Sequence, residues 1–238
     1  MTREEFQEAL LRVLERKDHR AWKLWTGPGV RREQLRLSFE QEWLVFVRDF
    51  PRFLGRVHGA CPIRSVRQAL AANLYEEETG GLSRGRPHPD LFLDQMEALG
   101  FDRNGFDRAK LLPEAAAYRA FIDQKTSGHW LLGAAVVTLW IEGSVKERKA
   151  LAGHEENVDK KIAEHYLVRY HGLNPDALQL LRAHAAVEGG HRHDAWTIVL
   201  ENAVTDEQKH EVLEAMNTAC VLWHLYRDGV TRAAGLSD

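Results

Sequence analysis

The chain has 238 residues, with 32 Lys and Arg against 35 Asp and Glu and a formal charge of −3. That length suits one large domain over residues 1–238, and the mildly acidic balance offers no basic field for nucleic acid. The longest stretch without a formal charge, 126–141, is shorter than the ~18 residues that suggest a membrane span, so no membrane segment is expected.

The opening MTREEFQEALLRVLERK lacks the basic start and apolar centre of a secretory signal, which makes a cytoplasmic location the expectation. Thr2 and Glu5 form a capping-box pattern, and Phe6, Leu10, Val13 and Leu14 recur at helical spacing, predicting a helix to about Lys17. After the break at TGPGV, a long helical pattern runs from Arg31 to His58, and Pro51 should kink or divide it. Cys61 and Cys220, the two cysteines, have no zinc-type spacing and read as small buried residues.

A helix over Ile63 to Glu78 carries Val66, Leu70 and Leu74 on a stripe that continues into Glu77. Of the acids Glu76, Glu77 and Glu78, Glu77 is therefore the one aimed at the core. Beyond the loop TGGLSRGRP, His88 opens a helix with Leu91, Phe92, Gln95 and Leu99 on its face and Pro89 at a favourable first position. A helix from Pro113 to Lys125 follows, and then one from Gly128 to Leu151. Within the latter, Glu142 lies on the line of Ala135, Leu139 and Val145. A lone carboxylate there costs several kcal/mol on burial unless it gains a partner, a proton or a metal.

The next predicted helix covers Val158 to Tyr170, and another begins near Pro175 and carries RAHAAVEGGH. Spacings of four and three put His184, Glu188 and His191 on one helical stripe. Gly189 and Gly190 each disfavour helix by ~1 kcal/mol, so a break is expected there, with separate helices from His193 to Ala203 and from Asp206 to Asp228. With no strand alternation of useful length, the fold class is all-α.

Three carboxylates and three imidazoles thus stand on apolar or shared faces: Glu77 with His88, Glu142, and His184 with Glu188 and His191. The set suits two divalent metals, iron or manganese, with iron the more useful where dioxygen must bind. A ferritin-like alternative would use E-x-x-H twice, at Glu188 with His191 and at Glu207 with His210. The second pair, however, lies in the polar first turn of the last helix.

The sequence resembles the haem-oxygenase-like diiron oxidases and oxygenases, within the wider group of thiaminase-type proteins and the oxidase that completes pyrroloquinoline quinone. The resemblance runs from DHRAWKLW and FPRFL through NLYEEETGG, HPDLFLDQMEALG and the IEG of the middle helix to HAAVEGGH and ACVLWHLYRDGV. It implies a haem-oxygenase-like helical bundle. The metal ligands become Glu77, His88, Glu142, His184, Glu188 and His191, with Glu142 as the bridging, catalytic carboxylate. Two iron ions cycling between Fe(II) and Fe(III) would serve as cofactor, with manganese also compatible. O2 and a small organic molecule would be the reactants, and a homodimer the assembly. Glu188 stands where the family usually has Asp, and the glycine pair after it departs from the pattern.

Other readings belong to the same fold. A thiaminase-type hydrolase needs a middle-helix cysteine, and none lies between Cys61 and Cys220. Metal-free cofactor oxidation and a non-enzymatic helical metal-binding or regulatory protein are the alternatives. Trp43, Tyr75, Trp140 and Trp196 are candidate pocket or redox-active neighbours, and Lys146 and Lys149 read as surface cations.

Overall fold

The computed structural model describes residues 1–154 and 157–236, apart from the side chain of Glu188. In chain order the helices are α1 (Arg3–Glu15), α2 (Trp22–Trp25), α3 (Arg32–Glu42), α4 (Phe50–Ala60), α5 (Arg64–Thr79), α6 (His88–Ala98) and α7 (Gly105–Arg108). They continue with α8 (Pro113–Ser127), α9 (Trp130–Ala134), α10 (Glu147–Leu151), α11 (Val158–Ala163), α12 (Tyr166–His171), α13 (Gln179–Asn202) and α14 (Asp206–Ala233). Among the described residues there is no strand.

The last helix shows how the sequence builds the core. Val212, Ala215, Met216, Ala219, Cys220, Trp223, Tyr226 and Val230 recur at intervals of one, three and four on one side of α14 and are all buried. That side packs on α8, on α1 and on the π-helical stretch after α9. Thr205 caps the helix through its side chain, which accepts from the Gln208 amide. The capping box expected at Thr2 and Glu5 is present in the same reciprocal form.

Several boundaries differ from the sequence expectation. The pattern from Arg31 to His58 is divided, with π-helical turns at Trp43–Val47 separating α3 from α4 and Pro51 in the first turn of α4. The predicted helix from Gly128 to Leu151 is α9, a π-helix over Ala135–Ile141 and the separate α10. The stretch from Val158 to Tyr170 is likewise two short helices. At Gly189 and Gly190 the expected break does not occur. The whole of 179–202 is one helix, anchored on both sides of the glycines by buried Ala183, Ala195, Trp196 and Val199. Packing of that face outweighs the ~2 kcal/mol that two glycines cost.

The π-helix before Glu142 has a specific terminus. Lys17 reaches across from the end of α1 and donates to the carbonyls of Trp140, Ile141 and Gly143 at 2.7, 2.9 and 2.7 Å. The ammonium thereby supplies donors to carbonyls at the end of the π-helix and just beyond it. Burial and then the Arg227 charge push the Lys17 pKa down to about 7, with Glu147 opposing. Gly143 is required at this point, because a Cβ there would lie 2.1 Å from the Leu139 carbonyl oxygen.

Candidate metal centre

Four elements meet around a cavity of about 300 Å³: α5, α6, the end of the π-helix and α13. Its wall includes Glu77, His88, Glu142, His184 and His191, with Phe46, Phe50, Leu139 and Leu180 as apolar lining. Ligand atoms of Glu77, His88 and His184 all lie within 4.8 Å of one another. The first two residues are buried, and His184 is exposed on α13. The His88 and His184 rings approach edge to face at 4.9 Å between centroids.

Both ring nitrogens of His88 face carboxylates. Nε2 lies 3.0 Å from Glu76 Oε1. That carboxylate also accepts from the Leu82 amide at 2.7 Å and from the Ser83 hydroxyl. Burial alone would raise the Glu76 pKa, but Ser83, the Leu82 amide and His88 outweigh it and hold it below the usual range. An ionised Glu76 only accepts, so Nε2 carries the hydrogen. Nδ1 sits 2.8 Å from Glu77 Oε1, without the angular geometry of a hydrogen bond and with no other hydrogen-bond partner. A neutral imidazole lone pair and a carboxylate cannot face each other so closely without a proton or a cation between them. Burial lowers the His88 pKa, and the flanking Glu77 and Glu76 reverse that into a net rise.

Glu142 follows the π-helix and opens onto the same cavity, where it is exposed rather than enclosed as the apolar line had predicted. Asn73 Nδ2 donates to both of its oxygens, at 3.1 and 3.3 Å. The protein around it and then the nearby Glu77 charge raise its pKa, with Asn73 opposing and its exposure limiting the effect of burial. His191 also lines the cavity, its buried Nε2 has no hydrogen-bond partner, and burial lowers its pKa. The Glu188 side chain lies outside the described residues.

The donor set fits a divalent transition metal. It combines imidazole nitrogens and carboxylate oxygens, two buried ring nitrogens lack hydrogen-bond partners, and one carboxylate faces such a nitrogen at 2.8 Å. Glu76 occupies the outer position that commonly orients a ligating histidine. Sequence periodicity, which aims Glu77 alone at the core, missed Glu76, although it is fully buried; Glu78 is exposed. Asn73 was also missed, and its position four residues before Glu77 is the signal that could have found it. Glu147 is a third omission. It is buried in the cavity wall and accepts from Arg192 Nε at 3.1 Å and Trp196 Nε1 at 3.0 Å, which ties α10 to α13.

Other candidates fall elsewhere. Tyr75 is half exposed, while Trp43, Trp140 and Trp196 are buried with indole hydrogen bonds to Asp107, Tyr118 and Glu147. None of the four lines this cavity. His210 is exposed and bonds the Asp206 carbonyl at 2.6 Å, so the ferritin-like pair with Glu207 stays on the surface.

Exchanging Glu76 for Gln keeps the size of the side chain but weakens its grip on Nε2. The expected result is a ~10–100-fold loss of Fe(II) affinity with an unchanged circular dichroism spectrum. Competition with a calibrated chelator measures it, and an unchanged affinity would reduce Glu76 to a packing role.

Solved structures share this arrangement of helices. A TenA homolog from Pseudomonas syringae pv. tomato superposes with a TM-score of 0.73 at 14% identity, covering 96% of this chain and 92% of that one. A domain of unknown function with a heme oxygenase-like fold from Shewanella denitrificans gives 0.63 at 16% identity, covering 98% and 90%. The protein therefore has the haem-oxygenase-like fold. Residues 37–224 match the family described as iron-containing redox enzyme, and the chain belongs to that family.

Two curated relatives match over shorter stretches, and both are named 4-aminobenzoate synthase. The Chlamydia muridarum protein is 26% identical over 93 residues, which is 39% of this chain and 37% of that protein. The Chlamydia trachomatis protein is 28% identical over 83 residues, 35% and 34%. The chain thus spans little more than a third of either relative. No described helix is long and apolar enough to cross a membrane.

Proposed function

We propose that the protein is a non-haem iron-dependent oxidase or oxygenase that uses O2 to oxidise a small organic molecule. The observation that carries this reading is the 2.8 Å approach of the unpartnered His88 Nδ1 to Glu77 Oε1, with His184 completing a three-residue cluster. Glu77, His88 and His184 would hold one ion. Glu142 and His191, on the same cavity, would hold a second, with Glu188 added from the sequence motif. Glu142 would be the carboxylate shared between them.

Bound iron would supply the dioxygen and one-electron chemistry that amino-acid side chains lack. The protein's own part is positional. Glu76 fixes which nitrogen of His88 points inward, Asn73 orients Glu142, and Lys17 fixes the backbone on either side of Glu142. Phe46, Phe50, Leu139 and Leu180 limit water in the cavity. The relatives' name, a synthase of a small aromatic acid, agrees with an enzyme of small molecules. Homodimer formation is part of the reading through the resemblance, and light scattering tests it.

The test is anaerobic titration with Fe(II), followed by exposure to O2 with oxygen uptake recorded. Up to two irons per chain are expected. Glu142→Gln should remove the weaker ion and most of the oxygen uptake. A protein that takes up no iron, or whose iron content and oxygen uptake are unaltered in both Glu142→Gln and His184→Ala, would refute the reading. Parallel titration with Mn(II), followed by paramagnetic resonance, decides between the two metals.

A further inference from the structure

A second cavity, of about 930 Å³, adjoins the metal cavity. Phe46, Ile141, Gly143, Leu181, Ala185 and Arg192 line both, so they form a shared wall. The second cavity is also walled by Trp22 of α2, Glu42 of α3, and Trp223 and Arg227 of α14.

Arg227 is unusual among the described residues. It is only 8% exposed, and its guanidinium lies 4.9, 5.4 and 5.7 Å from the ring centres of Tyr226, Trp223 and Trp22. Nε is buried without a hydrogen-bond partner. The ion pair nearest to it is a loose one, with Glu42 Oε1 3.9 Å from Nη2, beyond hydrogen-bonding distance. The hydroxyl of Tyr226 beside it is likewise buried without a partner. Of the five N–H donors of Arg227, the one on Nε is buried and unmet, which is costly, and Nη2 has the loose Glu42 contact. A cavity that opens beside such a group is therefore built to receive an acceptor.

We propose that this cavity binds an organic carboxylate. Arg227 receives its two oxygens as a fork, and Trp22 and Trp223 flank the body of the molecule. The planar fork matches a carboxylate, and the aromatic walls match an apolar or flat body better than they match hydrated phosphate. An acid held at Arg227 extends along the wall shared with the metal cavity. That the bound acid is the molecule oxidised rests on the iron reading above; its binding does not.

Calorimetry on metal-free and Fe(II)-loaded protein tests this with phenylacetate, 3-phenylpropionate and octanoate, each beside its neutral amide. At least one acid should bind about tenfold or more tightly than its amide, as expected for a charge-assisted fork. Arg227→Gln should abolish that preference. Failure of every acid to exceed its amide at millimolar concentration would overturn the proposal, as would a folded Arg227→Gln protein that keeps the preference. Equal competition by inorganic phosphate would also overturn it, by making the site one for inorganic anions.

If Arg227→Gln does not fold, Trp22→Ala at the half-exposed edge of the cavity takes its place, with weaker phenylacetate binding expected and unchanged binding contrary. Iron content on the same samples separates the two readings. Iron without acid preference removes only this proposal, and acid preference without iron removes only the iron centre.

Discussion

Replacing His88 with alanine will remove tight Fe(II) binding, a loss larger than the ~10–100-fold that an outer partner such as Glu76 contributes. The ring is the hub of the cluster, with Nδ1 against Glu77, Nε2 against Glu76 and its face beside His184. Among the described residues, the cluster is Glu77, His88 and His184. The fold should survive, because His88 begins α6 rather than sitting inside it, and Glu76 keeps its bonds from Leu82 and Ser83. Chelator competition and metal analysis read the loss, and circular dichroism checks the fold. His210→Ala, on the exposed first turn of α14, should bind iron as the parent does. Full iron affinity in a folded His88→Ala protein would place the centre elsewhere.

The largest loss of stability is expected at Asp49, which joins the π-helical turns after α3 to α4. Its carboxylate is buried and receives Arg119 at 2.7 Å, Arg48 at 2.9 Å and Arg52 at 3.2 Å. Arg119 also holds the Leu44 carbonyl and Asp123, so the cluster ties the π-helical turns to α8. Removing one member of a buried ion pair costs ~3–5 kcal/mol. Arg48 and Arg52 are partly exposed and can rehydrate, so Asp49→Ala should fall near the lower end of that range.

The pH dependence of that contribution follows from the carboxyl itself. Burial would raise its pKa, but Arg48 and Arg119 outweigh burial and hold it at about 2. A depressed carboxylate stabilises the fold fully above its unfolded value of ~3.9 and loses that contribution as pH falls toward the folded value. The difference in urea stability between parent and Asp49→Ala should therefore be constant near neutrality and shrink between about pH 4 and pH 2. A difference that grows on acidification would contradict this account of Asp49.

Much of this arrangement is visible in the residues alone. Val66, Leu70 and Glu77 form a periodic stripe, and His88 opens another with Leu91 and Phe92. Both stripes are buried as their spacing implies. Glu76 was hidden because its partners, the Leu82 amide and Ser83, come from a loop whose path depends on Gly80. Gly80 ends α5 in the left-handed conformation, and a Cβ there would meet the Arg86 backbone at 2.1 Å. No periodicity argument reaches across such a turn.

The π-helical segments were hidden for a related reason. A face drawn at 3.6 residues per turn does not survive a π-helical insertion, because each inserted residue turns everything after it by about 100°. Glu142 follows seven π-helical residues, so the apolar line drawn through Leu139 and Val145 did not describe its surroundings. Val145 is in fact exposed. The glycine pair misled in the opposite direction, since local propensity marked a break where the packing of Trp196 and Val199 keeps α13 whole.

Lys17 couples the start of the chain to the cavity. Four of the proposed ligands, Glu77, His88, His184 and His191, sit on α5, α6 and α13, while Glu142 follows the π-helix and has its flanking carbonyls held from a distant part of the chain by Lys17. Lys17, two residues past α1, clamps the backbone around Glu142, and Arg227 of α14 supplies the guanidinium of the adjoining cavity. A change in how α1 packs would therefore be felt at Glu142, because the ammonium that holds the two carbonyls flanking it is carried by the segment that leaves α1.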